Sequence, residues 1–138
     1  MKITCGTDII EIDRIKESIE SLGKNFLERV FTEKEIQYCE SKKAQKYQHY
    51  AAKFAAKEAI FKAISSEFIK EKNKYEIGWK DYATENDILG RPKVSVDANF
   101  LKNKFCKGKI HQIDISLSHC KEYAVANVVV VWNEKIEE

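Results

Sequence analysis

The segment from Gln45 to about Ser66 constrains the fold of this chain more than any other. It contains neither Pro nor Gly and is rich in Ala and Lys, so it predicts one uninterrupted helix. Within it, Glu58 is a carboxylate where the helical pattern calls for a hydrophobe. At about 100° per residue, Tyr47, Ala51, Phe54, Ala55 and Phe61 fall within about 60° of Glu58 on the helical wheel. An acid projecting from such an apolar stripe either takes up a proton or needs a cation, a base or a metal beside it. Lys62, one turn on, reaches the same place, and a plain structural Glu–Lys pair would satisfy the same need.

A second acid points toward chemistry. Lys2-Ile3-Thr4-Cys5-Gly6-Thr7 predicts a short strand of small and β-branched residues. A helix is expected to begin around Ile10 to Arg14, with Ile12, Ile15, Ile19 and Leu22 at helical spacing. Asp8 is thereby placed at a strand-to-helix junction, where it either caps the helix or is presented to a ligand. Two carboxylates, one at a junction and one inside a helical stripe, suit a hard divalent cation. Mg²⁺ is commonly held by one or two protein carboxylates, with water and substrate phosphates completing the octahedron.

The 138 residues predict one domain spanning 1–138 with room for a core. A formal net charge of +2 is too small to indicate a nucleic-acid binder. No apolar run approaches the ~20 residues of a membrane span, and the N-terminus has no signal-peptide shape. Cys5, Cys39, Cys106 and Cys120 are scattered without a C-x-x-C pair, which suits reduced thiols in the cytoplasm.

Further along, Phe26 to Phe31 continues helically, and Thr32-Glu33-Lys34-Glu35 is a capping box that starts another helix, ending near Cys39. Ile77 to Trp79, Ala83 to Ile88 and Lys93 to Val96 read as strand material. Gly90-Arg91-Pro92, with the chain's single Pro, reads as a turn. Asp97 to Phe105 predicts a short helix, and Lys102, Lys104, Lys107 and Lys109 around Phe105 a solvated basic face. Ile110 to Leu117 alternates like a half-buried strand. Tyr123 to Trp132 is nearly continuous in hydrophobes, as for a strand buried on both faces, or on one face and at a subunit interface. Together these predict an α+β domain, helices early and an antiparallel sheet late. Ser116-Leu117-Ser118-His119-Cys120-Lys121 falls between the last two strands. Its hydroxyls, imidazole and ammonium suit a phosphate, or else a polar hairpin turn. A Ser–His nucleophilic pair has no third group to orient it.

Taken in order, these residues resemble the holo-acyl-carrier-protein synthase family, the small 4′-phosphopantetheinyl transferases of fatty-acid synthesis. The resemblance spans nearly the whole chain. It runs from Gly6-Thr7-Asp8 with Arg14-Ile15, through Phe31-Thr32-Glu33-Lys34-Glu35, to Phe54-Ala55-Ala56-Lys57-Glu58-Ala59-Ile60-Phe61-Lys62. Gly90-Arg91-Pro92 and Ser116-Leu117-Ser118-His119 with Tyr123-Ala124 complete it. The chain departs from the family in carrying Lys53 where Arg is usual, which keeps the charge and loses the bidentate fork. The stretch Glu67 to Tyr75 is also longer and more charged than usual, suggesting an enlarged loop.

The resemblance implies an enzyme that moves the 4′-phosphopantetheine arm of coenzyme A onto a serine of apo acyl carrier protein, with Mg²⁺ required and adenosine 3′,5′-bisphosphate leaving. On that reading Asp8 and Glu58 hold Mg²⁺, and Lys62 stands beside the pyrophosphate. Glu58 or a metal-bound water takes the serine proton. His119 with Ser116 or Ser118, together with Lys53 and Lys57, would hold coenzyme A, and Gly90-Arg91-Pro92 would meet its nucleotide. Arg14, and more weakly Arg29, would dock the acidic carrier protein, with Lys24 a solvated neighbour. Family members form homotrimers with the site shared between subunits, which the greasy last strand suits. Two other classes compete: a non-catalytic binder of an acidic partner or nucleic acid, indifferent to Mg²⁺, and a metal-dependent phosphoesterase.

Overall fold

The computed structural model describes residues 1–67, 78–96 and 109–133. Strand β1 (Lys2–Glu11) leads directly into helix α1 (Ile12–Leu22), followed by α2 (Lys24–Val30), α3 (Glu33–Glu40) and the long α4 (Lys46–Ile64). The strands β2 (Tyr82–Asn86), β3 (Pro92–Val96), β4 (Lys109–His119) and β5 (Tyr123–Asn133) complete the α+β architecture. Short 3₁₀ turns at Lys43–Gln45 and Ser65–Glu67 bracket α4, so the helix predicted over 45–66 is present at its full length. The capping box also forms. The Thr32 N–H donates to Glu35 Oε1 at 2.9 Å, and the Glu35 N–H donates to Thr32 Oγ1 at 3.2 Å.

The main sheet has the order β1-β5-β4, antiparallel throughout, so the first of the described strands joins the last of them. One face is covered by α4. Ala55, Ala56, Ala59, Ile60, Ala63 and Ile64 pack on Ala126, Val128, Val130 and Trp132 of β5. Small residues let the layers approach closely, and Gly6 marks the tightest point. A Cβ there would lie 2.0 Å from the carbonyl oxygen of Ala59, so only glycine fits. A second apolar cluster joins Ile12, Ile15 and Ile19 of α1 to Val30, Phe31, Tyr50 and Ala51.

The β2–β3 hairpin forms a separate two-stranded sheet tied to α4 by polar contacts. Fully buried Lys57 pairs with fully buried Glu35 at 2.9 Å and donates to the carbonyls of Trp79 and Tyr82. Glu35 Oε2 in turn accepts the Thr84 N–H at 3.2 Å. The capping residue of α3 therefore also anchors α4 and β2. No buried side-chain nitrogen or oxygen among the described residues lacks a partner.

Several boundaries differ from expectation. β1 continues to Glu11 because Ile9 and Ile10 pair with Val125 and Ala124. Asp8 is thus inside a strand, not at a junction, and the α1 N-cap is Glu11, without a side-chain cap. Gly78 to Lys80 form a turn, and β2 ends at Asn86, leaving Asp87 and Ile88 to the hairpin loop. There Gly90 has φ +81°, a conformation natural for glycine. Ser116, Ser118 and His119 belong to β4, and the connection to β5 is just Cys120-Lys121-Glu122. The last strand is buried on one face only; Tyr123 and Val129 are exposed on the other. Ile77, the enlarged loop beyond Glu67, the predicted helix over 97–105, Cys106 and most of the basic cluster lie outside the described residues. Cys5, Cys39 and Cys120 are free thiols. No helix among the described residues is long and apolar enough to cross a membrane.

Candidate active site

Alternation along β1 turns Gly6, Asp8 and Ile10 toward α4. The close approach at Gly6 brings Asp8 against the last two turns of the helix. Lys62 Nζ donates to the Thr7 carbonyl at 2.9 Å and meets Asp8 Oδ1 at 3.3 Å. Glu58, one turn earlier, opens with Asp8 into a cleft of about 750 Å³ whose walls include Glu11, Arg14, Phe54 and Tyr123. Burial first, and then the charge of Asp8, hold the Glu58 carboxyl above its usual range, with Lys62 pulling the other way.

The surroundings of Glu58 correct the sequence picture in one respect. Helix α4 is buried around most of its circumference, including Ala52, Lys53, Ala56, Lys57 and Ile60 on the sides remote from Glu58. Glu58, Phe54, Phe61 and Lys62 lie on its open side. Of the aromatic residues in the apolar stripe, Phe54 lines the cleft, Phe61 is exposed and Tyr47 packs at the edge of the second apolar cluster. The acid is half-buried and accessible.

Two carboxylates facing one another, one with raised affinity for a proton, form a locus of excess negative charge that a single lysine offsets. Among the described residues no group of three or more His, Cys, Asp or Glu side chains could enclose a metal ion. A pair of hard oxygen donors in an open cleft fits a cation that keeps most of its coordination for water and phosphate oxygens, as Mg²⁺ does.

The remaining candidates divide. Arg14 lines the same cleft, whereas Arg29 is exposed outside its lining and Lys24 pairs with Glu28 at 3.5 Å. Ser116, Ser118 and His119 are exposed on β4, the opposite edge strand from Asp8. Gly90-Arg91-Pro92 sits at the β2–β3 hairpin, where Arg91 Nε donates to Asp87 Oδ2 at 3.1 Å. Two of the candidate lysines are engaged within the chain. The Lys57 ammonium donates to Glu35, Trp79 and Tyr82, which uses its three protons. Lys53 is also buried and donates to the Thr84 carbonyl, Thr84 Oγ1 and Asn86 Oδ1 at 2.8, 3.1 and 3.0 Å, which uses its three protons as well.

Sequence reading missed His49. Its ring meets that of His119 at 5.7 Å and that of Tyr38 at 5.6 Å. A histidine one turn before Lys53 is visible in the sequence, but its neighbour in β4 is seventy positions away and no local pattern announces it. Tyr123, at the start of β5, likewise enters the Asp8–Glu58 cleft only through the pairing of β5 with β1.

Comparison with known proteins identifies the family. The sequence model of the 4′-phosphopantetheinyl transferase superfamily matches residues 4–128. A holo-[acyl-carrier-protein] synthase of Ruminiclostridium cellulolyticum is 47% identical over 130 residues, covering 94% of this chain and 92% of the relative. A solved holo-(acyl-carrier-protein) synthase of Bacillus anthracis in complex with coenzyme A is 32% identical, with TM-score 0.69 and coverage of 92% and 94%. The Helicobacter pylori holo-[acyl-carrier-protein] synthase in complex with coenzyme A is 28% identical, with TM-score 0.74 and coverage of 92% and 99%. The chain belongs to the 4′-phosphopantetheinyl transferase superfamily, among its holo-[acyl-carrier-protein] synthases.

Proposed function

We propose that this protein transfers the 4′-phosphopantetheine group of coenzyme A to a serine of apo acyl carrier protein, using Mg²⁺ held by Asp8 and Glu58. The observation that carries the reading is the carboxylate pair in an open cleft beside Lys62, within a chain whose relatives bear the name of this activity.

Phosphoryl transfer is governed by positioning and charge neutralisation more than by covalent chemistry of the protein. The serine oxygen attacks the phosphorus that carries pantetheine. A new P–O bond forms, the bond to adenosine 3′,5′-bisphosphate breaks, and one proton is released. When bound, Mg²⁺ would neutralise charge on the diphosphate. Lys62 supplies a fixed positive charge at the leaving side. Glu58, made more basic by burial and by Asp8, is suited to accept the serine proton. Arg14 on the cleft wall offers a cation to an acidic carrier protein.

The reading includes a homotrimer with each site shared between neighbouring subunits. His49, which adjoins His119, and Glu58 are nine positions apart on α4, about 180° round the helix. A phosphate held at His119 and a diphosphate held at Asp8 and Glu58 would thus lie on opposite sides of one chain, and a second chain brings the two together. The outer sheet face, with Ile3, Ile9 and Val129 exposed, suits burial against further copies. Cytoplasmic residence and a single domain over 1–138 accompany the reading.

Mass spectrometry of apo acyl carrier protein incubated with the protein, coenzyme A and Mg²⁺ tests it. A gain of one phosphopantetheine, lost on adding chelator, is expected. An unmodified carrier protein with coenzyme A hydrolysed would indicate a phosphoesterase instead.

A further inference from the structure

Beyond the carboxylate cleft, the structure gathers a second set of charges around the ring of Tyr38. Lys42 Nζ and Lys53 Nζ each lie 4.8 Å from its centroid, and the His49 ring meets its edge. On its other side His49 meets His119, the rings inclined at 67°. The groups facing His49 are therefore Tyr38 from α3, Lys42 from the following turn, Lys53 from its own helix and His119 from β4. Burial first, and then His119, Lys42 and Lys53, hold its imidazole below the ordinary range. Among the described residues no carboxylate pairs with Lys42, His49 or His119. Such surroundings favour the neutral form of a half-buried imidazole, and an anion placed among them favours the protonated form.

We propose that His49 is a positioning residue whose protonation is coupled to coenzyme A binding: a phosphate group seated against His119 draws one proton from solvent onto His49, which then steadies the His119 ring and the anion together. The inference rests on the reading that His119 holds a coenzyme A phosphate. The anion supplies a negative charge beside His49, so it favours the protonated form of that ring. By linkage, a site that takes up one proton on binding loses affinity by up to about tenfold per pH unit between the free and bound midpoints. Affinity is greatest at the acid end of that window.

The test uses the intact wild-type protein and coenzyme A. NMR titration of the His49 ring, with and without coenzyme A, should show its midpoint rise on binding. Calorimetry in two buffers of different ionisation enthalpy should show net proton uptake. His49→Gln should raise KM for coenzyme A, flatten its pH dependence, and leave kcat at saturating coenzyme A unchanged. A His49 midpoint unmoved by coenzyme A overturns the inference. So does a His49→Gln protein with wild-type KM and wild-type pH slope. Both results can be obtained from a protein that still transfers phosphopantetheine, so the inference can fail while the activity stands. A wild-type protein that binds no coenzyme A would overturn the reading beneath it as well.

Discussion

Asp8 and Glu58 repel one another unless a cation stands near or one of them holds a proton. This gives the residue scale its sharpest predictions. Asp8→Ala and Glu58→Ala should abolish transfer in proteins that still fold, as read by carrier-protein mass and circular dichroism. The folded-state pKa of Glu58 lies above its unfolded value. Ionising it therefore costs the metal-free fold stability, an effect absent at acid pH and growing as pH rises through the folded pKa. Glu58→Gln removes that cost. The metal-free variant should melt above wild type near neutral pH but not near pH ~4, and Mg²⁺ should narrow the gap by stabilising wild type alone. Arg14→Glu should raise KM for carrier protein far more than KM for coenzyme A. Equal increases would remove it from docking. Glu58 stood out in the sequence because a charge at a hydrophobic helical position is anomalous by itself. Lys53 and Lys57 show the limit of such reading: a signature identifies lysines, but not the protein groups that their protons meet. His49 was illegible because its partner is distant in sequence.

At the scale of elements, the Glu35 side chain connects three of them: it caps α3, pairs with Lys57 of α4 and accepts from β2. Removing one member of a fully buried ion pair strands the other. Glu35→Ala should cost about 3–5 kcal/mol in chemical denaturation, against about 1 kcal/mol for Thr32→Ala, which loses only a cap. Comparable losses for the two would dismiss the wider role of Glu35. The capping box and the long helix could be read directly, since both depend on neighbours within four residues. The extent of β1 could not. Ile9 and Ile10 suit a strand or a helix equally, and the choice is made by Val125 and Ala124 across the sheet. The same holds for Ser116 to His119, polar enough for a turn yet fixed by pairing with β5.

For the whole molecule, the α+β class was legible from the switch in hydrophobic period, but the strand order β1-β5-β4 was not, because no pattern within a strand names its neighbour. Assembly offers the matching test. If sites are shared between chains, mixing inactive Glu58→Ala with inactive His119→Ala should recover part of the transfer activity, since some mixed interfaces combine two intact halves. No recovery after confirmed subunit exchange would place each site within one chain. Val129→Glu, on the exposed sheet face, should lower the mass seen in sedimentation.

The pairing of β1 with β5 has a consequence for biosynthesis. Asp8 leaves the ribosome before all four described α-helices, yet the strand that fixes its register follows every one of them. Until then the edge of β1 is unpaired and Asp8 and Glu58 have no fixed spacing. The two acids therefore come together only once β5 has been made, and the nascent polypeptide depends on its helices to remain soluble while it waits.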